Sequence, residues 1–184
     1  MVIGPCFFME LQHQAVSGPV RLYIDVPAGY FRIATQSLNE VLVDARQTHN
    51  KSLVPKLEAH AGGLRLFRQP MVRWFTTSRG VNATVLIPEG SSLQIKLYSG
   101  SLSLTGEYGS LDIRLRSGDA TLNGPAFSIT ENGLVKILSG NLRCVNLTEA
   151  GFEVPLLGNN IKEIAHTNGP SLRVELGLGE LDFS

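Results

Sequence analysis

The chain has 184 residues, a length typical of one domain, and its formal net charge is zero because 16 Lys and Arg balance 16 Asp and Glu. This balance argues against a general nucleic-acid-binding protein and against a highly charged disordered tail. Apolar residues make up 43% of the chain, enough for a core, and the 19 glycines and 9 prolines indicate many turns between short elements.

Membrane and secretion signals are not visible in the sequence. No apolar run approaches the ~18 residues of a membrane-spanning helix, and residues 1–8 lack both the basic start and the cleavage site of a signal peptide. We therefore expect no membrane insertion, and the sequence assigns no compartment. The two cysteines, Cys6 and Cys144, are too few for a disulfide framework, so we expect reduced thiols, with Cys144 the less exposed.

Apolar and polar residues alternate along several short runs, which include residues 20–26, 93–97, 111–115 and 172–178. Strict alternation places apolar side chains on one face of a strand and polar side chains on the other. Turn signals such as Pro-Ala-Gly, Pro-Glu-Gly and Asn-Gly separate the runs. The pattern therefore predicts an all-β chain of about fifteen short strands with almost no helix.

Three segments are less regular. Residues 37–48 begin with a capping-box pair, Ser37 and Glu40, but the valines and leucine that follow are good strand formers, so we predict a strand there. Residues 159–166 carry isoleucines at helical spacing, so one short helical turn is an alternative there. Residues 45–60 are mostly polar and predict a loop or irregular coil.

A repeat is the strongest pattern in the chain. Ser-Gly recurs at residues 99–100, 117–118 and 139–140, spaced by 18 and 22 residues, and Gly109 lies midway in the first interval. The apolar residues that keep phase after these glycines are Leu102, Leu111, Ala120 and Leu142, followed two residues later by Leu104, Ile113, Leu122 and Cys144. A unit of this kind cannot bury its apolar face alone, but stacked units can.

The repeat predicts a single-stranded β-helix, or β-solenoid, of short strands joined by Gly turns, with the phased apolar residues stacked in a shared core. An antiparallel β-sandwich or barrel with regular hairpins is the alternative. No linker divides the chain, so we predict a single domain over residues 1–184, with the clearest repeats in residues 85–150.

Residues 85–104 read Val-Leu-Ile-Pro-Glu-Gly-Ser-Ser-Leu-Gln-Ile-Lys-Leu-Tyr-Ser-Gly-Ser-Leu-Ser-Leu, and residues 117–119 read Ser-Gly-Asp. These residues resemble the bacterial putative-adhesin family of unknown function, which shows a strand, a Pro-x-Gly turn and repeated Ser-Gly-Asp strands. Residues 99–101 and 139–141 of this chain match that triplet at two of its three positions. The resemblance extends over residues 20–178. It implies a β-solenoid with an envelope or surface association, and it carries over no catalytic residues.

Catalytic and metal-binding motifs are not recognisable in the sequence. The four histidines lack metal-ligand spacing, and nucleotide-binding and nucleophile motifs are missing. Asp112 and Asp119, with Glu107 near, are the best candidates for paired carboxylates, but they alternate with arginines, which indicates a solvated face. We therefore predict no catalytic residues, no cofactor, no metal site and no enzymatic activity.

Residues 65–79 have the composition of a binding surface, because arginines alternate there with aromatic rings. The predicted partner surface consists of Arg68, Arg73, Trp74, Phe75 and Arg79. The alternative is that the rings belong to the core and the arginines cover an edge. We expect the partner to be an unknown protein or a surface glycan and not a nucleic acid, since the net charge is zero.

The sequence thus favours a non-catalytic structural, adhesion or interaction module, with a cell-envelope location implied by the resemblance alone. A carbohydrate-active enzyme and a ligand-binding β-protein are the alternatives. Three acidic residues, Glu175, Glu180 and Asp182, lie in and beside the last long alternating run and discourage edge pairing between copies. We therefore expect a monomer or a weak dimer.

The substitution Trp74→Ala tests the predicted partner surface. A regular strand directs only one of Trp74 and Phe75 to the core. If Trp74 lies on the surface, its loss weakens partner binding and leaves stability nearly unchanged. If Trp74 lies in the core, its loss opens a cavity and lowers the free energy of unfolding by about 3–5 kcal/mol. Thermal melting separates the two outcomes, and a large fall in Tm contradicts the surface assignment.

Overall fold

The computed structural model describes residues 8–47, 54–68, 80–146, 152–153, 161–166 and 170–183, and these residues form strands and turns without a helix. The strands are β1 (Phe8–Ala15), β2 (Arg21–Gln36), β3 (Glu40–Gln47), β4 (Lys56–His60), β5 (Gly63–Phe67), β6 (Val81–Pro88), β7 (Ser91–Ile129), β8 (Gly133–Ser139), β9 (Leu142–Val145), β10 (Phe152–Glu153), β11 (Ile161–His166), β12 (Ser171–Leu178) and β13 (Leu181–Phe183). The predicted all-β class is confirmed. Within these ranges no helix is available to cross a membrane.

All the strands belong to one sheet of 13 strands, whose main path runs β1-β3-β6-β2-β7-β8-β12-β11-β10. Pairing is parallel through the middle of this path, where β2 pairs with β5, β6 and β7, and β7 pairs with β8 and β9. Pairing is antiparallel at both ends, in β1-β3-β6 and β4-β5 at one end and in β10-β11-β12 at the other. The centre is therefore a parallel stack with antiparallel strands at its ends.

Parallel pairing places leucines of three strands side by side. Leu22 of β2 lies between Leu64 of β5 and Leu93 of β7, and all three are buried. Because side chains along a strand alternate between its two faces, every second residue of each strand points into the core. The result is a continuous core of aliphatic side chains that extends through β2, β7, β8 and β12.

The phased residues of the repeat lie in this core. Leu102, Leu104, Leu111, Ile113 and Leu122 are at most 3% exposed and belong to one cluster. They occupy two columns, however, because Ile113 lies opposite Val135 of β8 whereas Leu122 lies opposite Cys144 of β9. A step of nine residues therefore crosses from one side of the core to the other, and two such steps return to the same side.

Strand β7 is 39 residues long, and after one turn its second pass runs beside its first pass. The backbone N–H of Ser110 donates to the hydroxyl of Ser92, 18 residues earlier, at 3.3 Å. A short third side joins the two passes, where the N–H of Gly90 donates to the carbonyl of Glu107 at 3.0 Å. Tyr108 lies fully buried beside it, and its hydroxyl lies 2.9 Å from the carbonyl oxygen of Ile33. Burial raises the pKa of this phenol.

Glycines occupy one corner of the stack at successive levels. This glycine column consists of Gly29, Gly100, Gly118, Gly140 and Gly179. A Cβ atom on Gly118 would lie 1.7 Å from the carbonyl oxygen of Gly100, and a Cβ atom on Gly140 would lie 1.9 Å from that of Gly118. Gly118 and Gly140 also have φ values of 134° and 139°, which side-chain-bearing residues rarely adopt. The corner therefore requires glycine on both grounds.

Two of the less regular segments differ from expectation. Residues 161–166 form a strand, so the short helical turn is wrong there: Ile164 pairs with Leu172 of β12, and this pairing decides the conformation of a segment too short for its period to be informative. The predicted loop over residues 45–60 is also partly wrong, because β3 continues to Gln47 and β4 occupies Lys56–His60. The predicted strand in residues 37–48 is confirmed over Glu40–Gln47.

Substituting Gly118→Ala tests the glycine column. We expect a loss of about 2–6 kcal/mol, because the backbone strain and the steric overlap with Gly100 each cost about 1–3 kcal/mol. Gly18→Ala is the matched control, since Gly18 has a φ of 156° but nothing within 4 Å of the added methyl group. It should lose about 1–3 kcal/mol from strain alone. Equal losses in urea titrations of the two variants would contradict the close-approach explanation.

The thiol of Cys144 should be unreactive in the native state. Cys144 is fully buried, and burial, with a smaller effect of Asp182, raises its pKa to about 12. In a Cys6→Ala background, labelling by a thiol reagent at pH 8 should be slow until denaturant is added. Because the folded pKa is raised, the contribution to stability is complete below the ordinary thiol pKa and is lost as pH rises toward 12. Rapid native labelling would contradict this placement.

Candidate functional site

The predicted partner surface lies mostly outside the described residues. Arg68 follows β5 with its side chain half-buried, and its backbone N–H donates to the carbonyl of Asp25 at 3.4 Å. Partial burial lowers the pKa of its guanidinium group. Arg73, Trp74, Phe75 and Arg79 fall in the undescribed range, so their common surface stays a prediction.

The carboxylates that sequence patterns singled out serve structural contacts. Asp112 forms an ion pair with Arg114 at 2.9 Å on the same strand. Asp119 accepts a hydrogen bond from the backbone N–H of Asn141 on the next level at 2.8 Å. Across the described ranges, no three His, Cys, Asp or Glu side chains come together in a way that could hold a metal ion.

The histidines whose side chains are described also have neighbours. His13 lies 2.7 Å from Glu40 across the antiparallel pair β1-β3, and His60 contacts the ring of Tyr23 edge-on with centroids 5.0 Å apart. His49 lies outside the described residues.

A groove of about 620 Å³ runs across the outer face of β2, β6 and β7, after the glycine column. We call it the polar groove, and its outward-facing side chains include Tyr30, Arg32, Asn82, Thr84, Ser101 and Ser103. Tyr30 is 63% exposed and occupies an outward position within β2. Its register partners are Asn82 on one side and Ser101 on the other, so an exposed ring lies between an amide and a hydroxyl.

The polar groove presents hydrogen-bonding groups of several kinds. Arg32 lies opposite Thr84 and Ser103, in the next column along the same strands. Asn123 donates from its side-chain amide to the hydroxyl of Ser103 at 2.8 Å, which orients that hydroxyl. Asp44 and Arg46 border the groove as an ion pair at 2.9 Å. An aromatic platform surrounded by hydroxyl, amide and guanidinium groups suits a ligand rich in hydroxyl groups.

A second groove, of about 570 Å³, lies on the outer face before the glycine column. We call it the basic groove, and its outward-facing side chains are Lys96, Tyr98, Arg114, Arg116, Lys136 and Leu138. No carboxylate is among the described residues that line it. The two outer faces of the same stack therefore differ in charge, although the whole chain is neutral.

Sequence patterns missed both exposed tyrosines. Tyr30 and Tyr98 occupy outward positions of alternating strands, between the buried residues Gly29 and Phe31 and after the buried Leu97. An aromatic residue in the polar phase of a strand is the signal that points to them. The neighbours that make each tyrosine part of a groove come from other levels of the stack, and the local sequence carries no information about them.

Comparison with solved structures shows a shared fold. The chain is similar to a putative cell adhesion protein from Clostridium sporogenes, with 12% sequence identity, a TM-score of 0.65 and coverage of 97% of this chain and 99% of that one. A putative adhesin from Bacteroides fragilis aligns over 98% and 99% of the two chains, with 9% identity and a TM-score of 0.38. No family model and no curated protein sequence matches the chain.

Proposed function

We propose that the chain is a non-catalytic adhesion module, built as a β-solenoid, that binds a surface glycan in the polar groove. The observation that carries the proposal is the exposed ring of Tyr30 between Asn82 and Ser101, on a face formed by parallel strands in register. The adhesion role takes support from the similar fold of the Clostridium sporogenes protein, which is described as a putative cell adhesion protein.

The solenoid interpretation rests on the offsets between paired strands. Contacts within β7 are offset by 18 residues, contacts from β7 to β9 by 22 and contacts from β9 to β13 by 39. The first two offsets equal the spacings of the Ser-Gly repeat. The third is longer because β10 and β11 lie within that interval and form an antiparallel pair. Each offset thus corresponds to one turn of the chain around the core.

The third residue of the Ser-Gly-Asp motif has a specific role in this interpretation. Asp119 accepts from the backbone N–H of Asn141, and Asn141 in turn accepts from the N–H of Glu180 at 3.0 Å. Asp and Asn at this position therefore link one level to the next directly beside the glycine column. This role gives a physical reason for the motif and supports the resemblance to adhesins with repeated Ser-Gly-Asp strands.

A non-catalytic role is consistent with the contacts that the acidic residues make. Asp112 and Asp119 are engaged in the contacts described above, and the polar groove holds Asp44 paired with Arg46. Hydrolysis of a glycan by the usual mechanism requires two carboxyl groups about 5–10 Å apart on either side of the scissile bond.

A location at the cell envelope follows from the proposed adhesion role, and cell fractionation tests it.

Binding of neutral oligosaccharides tests the proposal. Immobilised oligomers of glucose, galactose, mannose and N-acetylglucosamine are the probes, and we expect at least one to bind. Tyr30→Ala should weaken that binding by about tenfold or more, because the ring supplies the stacking platform. Its melting temperature should be unchanged, since Tyr30 is exposed. Tyr98→Ala is the control, because Tyr98 lies in the basic groove.

Three results would overturn the proposal. If no neutral oligosaccharide binds, or if Tyr30→Ala binds as well as the unaltered protein, the polar groove is not a glycan site. If new reducing ends accumulate when the protein is incubated with the same oligosaccharides, the chain is a carbohydrate-active enzyme and not an adhesion module.

A further inference from the structure

The basic groove concentrates positive charge on one outer face of a neutral protein. Lys96 of the first pass of β7, Arg114 of the second pass and Lys136 of β8 all point outward, and Arg114 lies directly opposite Lys136. Neighbouring strands lie about 4.8 Å apart. Cationic groups therefore recur at successive levels along the stack, in a line across the strands.

The carboxylates near this line are already paired with cations, and Asp112 pairs with Arg114 in the middle of the line at 2.9 Å. Glu175 of β12 forms ion pairs with Lys136 at 2.8 Å and with Arg173 at 3.0 Å, and the hydrogen bond from Lys136 lowers the pKa of Glu175. Asp25, which lies opposite Lys96, instead pairs with Arg65 at 2.7 Å. In the described parts of the chain, Lys96 and Arg116 make no ion pair, so their charge is available to a ligand.

Apolar surface is exposed among these charges. Tyr98 is 65% exposed and Leu138 is 51% exposed. The guanidinium carbon of Arg116 lies 5.8 Å from the centroid of the Tyr98 ring, within the range of a cation–π contact. Arg116 lies between Tyr98 and Leu138 in the order of the stack, so one flat platform combines a ring, a planar cation and an aliphatic side chain.

We propose that the basic groove binds an acidic polysaccharide, with its carboxylate groups at Lys96 and Arg116 and a sugar ring on Tyr98. Lys96 and Arg116, the lining cations that make no ion pair within the described residues, lie on adjacent levels, which suits a linear polymer with a negative group on each residue. The groove is open and shallow, which suits a chain that lies along the surface. This site is independent of the polar groove, because it lies on the other side of the glycine column and selects for charge.

Other polyanions fit the groove less well. A stable protein interface buries about 1,600 Å² with an apolar centre, whereas Tyr98 and Leu138 alone supply the exposed apolar side chains here. A single-stranded nucleic acid needs several aromatic rings on which successive bases stack, and Tyr98 is the one aromatic ring lining the described groove. A sugar polymer requires one platform and a few cations, which is what the groove contains.

The test compares an oligomer of galacturonic acid with a galactose oligomer of equal length, by titration calorimetry at low and moderate salt. We expect the acidic oligomer to bind and the neutral oligomer to bind at least about tenfold more weakly at this groove, with the acidic affinity falling as salt increases. Changing Lys96→Ala and Arg116→Ala together should reduce acidic binding about tenfold or more. Arg143→Ala is the matched control, because Arg143 is an exposed arginine on the other face.

Stability and selectivity complete the test. The double variant should melt as the unaltered protein does, since both side chains are exposed. Tyr30→Ala should leave acidic binding unchanged, so failure of this proposal and failure of the proposed function are separate results. Unchanged binding by the double variant would overturn the proposal. Equal or tighter binding of a poly-glutamate peptide or a single-stranded oligonucleotide would overturn the assignment to a polysaccharide.

Discussion

The close approach of backbone to backbone at the glycine column is the constraint on which the rest of the structure depends. At this corner the carbonyl oxygen of Gly100 occupies the space that a Cβ atom of Gly118 would need, and the same contact recurs between Gly118 and Gly140 and between Gly140 and Gly179. If one strand slipped by one residue relative to its neighbour, a residue with a side chain would take the place of a glycine at this corner and would not fit. The column therefore sets the register of the strands on both sides of the corner, and with it which side chains face inward.

Once the register is set, the inward and outward positions are under different physical constraints. Inward positions must be apolar, as in the pairing of Leu122 with Cys144. Outward positions contribute little to packing, so their chemistry is free to vary between faces. One face carries the polar groove around Tyr30 and the other carries the basic groove around Tyr98. A stack of this kind provides extended surfaces on which a binding site is assembled from several levels.

Antiparallel strands form both ends of the stack. At one end the side-chain amide of Gln12 donates to the carbonyl of Pro55 at 2.7 Å and accepts from the N–H of Leu57 at 2.6 Å. These bonds attach β1 to Pro55 and to Leu57 of β4, and Val54, which precedes them in the chain, is buried against the core. The side chain of Gln12 thus satisfies the carbonyl of Pro55 and the N–H of Leu57, where a neighbouring strand would otherwise supply backbone partners. At the other end, β10 and β11 extend the sheet from β12.

The sequence by itself determined the all-β class, the inward phase of the repeat and the burial of Cys144, because alternation and recurring glycines are local properties that each strand expresses alone. Only the tertiary structure decided the order of the levels. Strand β2 lies between β6 and β7, although β3, β4 and β5 follow it in the chain, because parallel strands pair through side-chain fit between segments distant in sequence. The same reason explains why the conformation of residues 161–166 and the convergence of Lys96, Arg116 and Lys136 could not be predicted. Alternation shows that a side chain points outward, but its neighbours on the surface belong to other levels, and their identity depends on the offset of each turn.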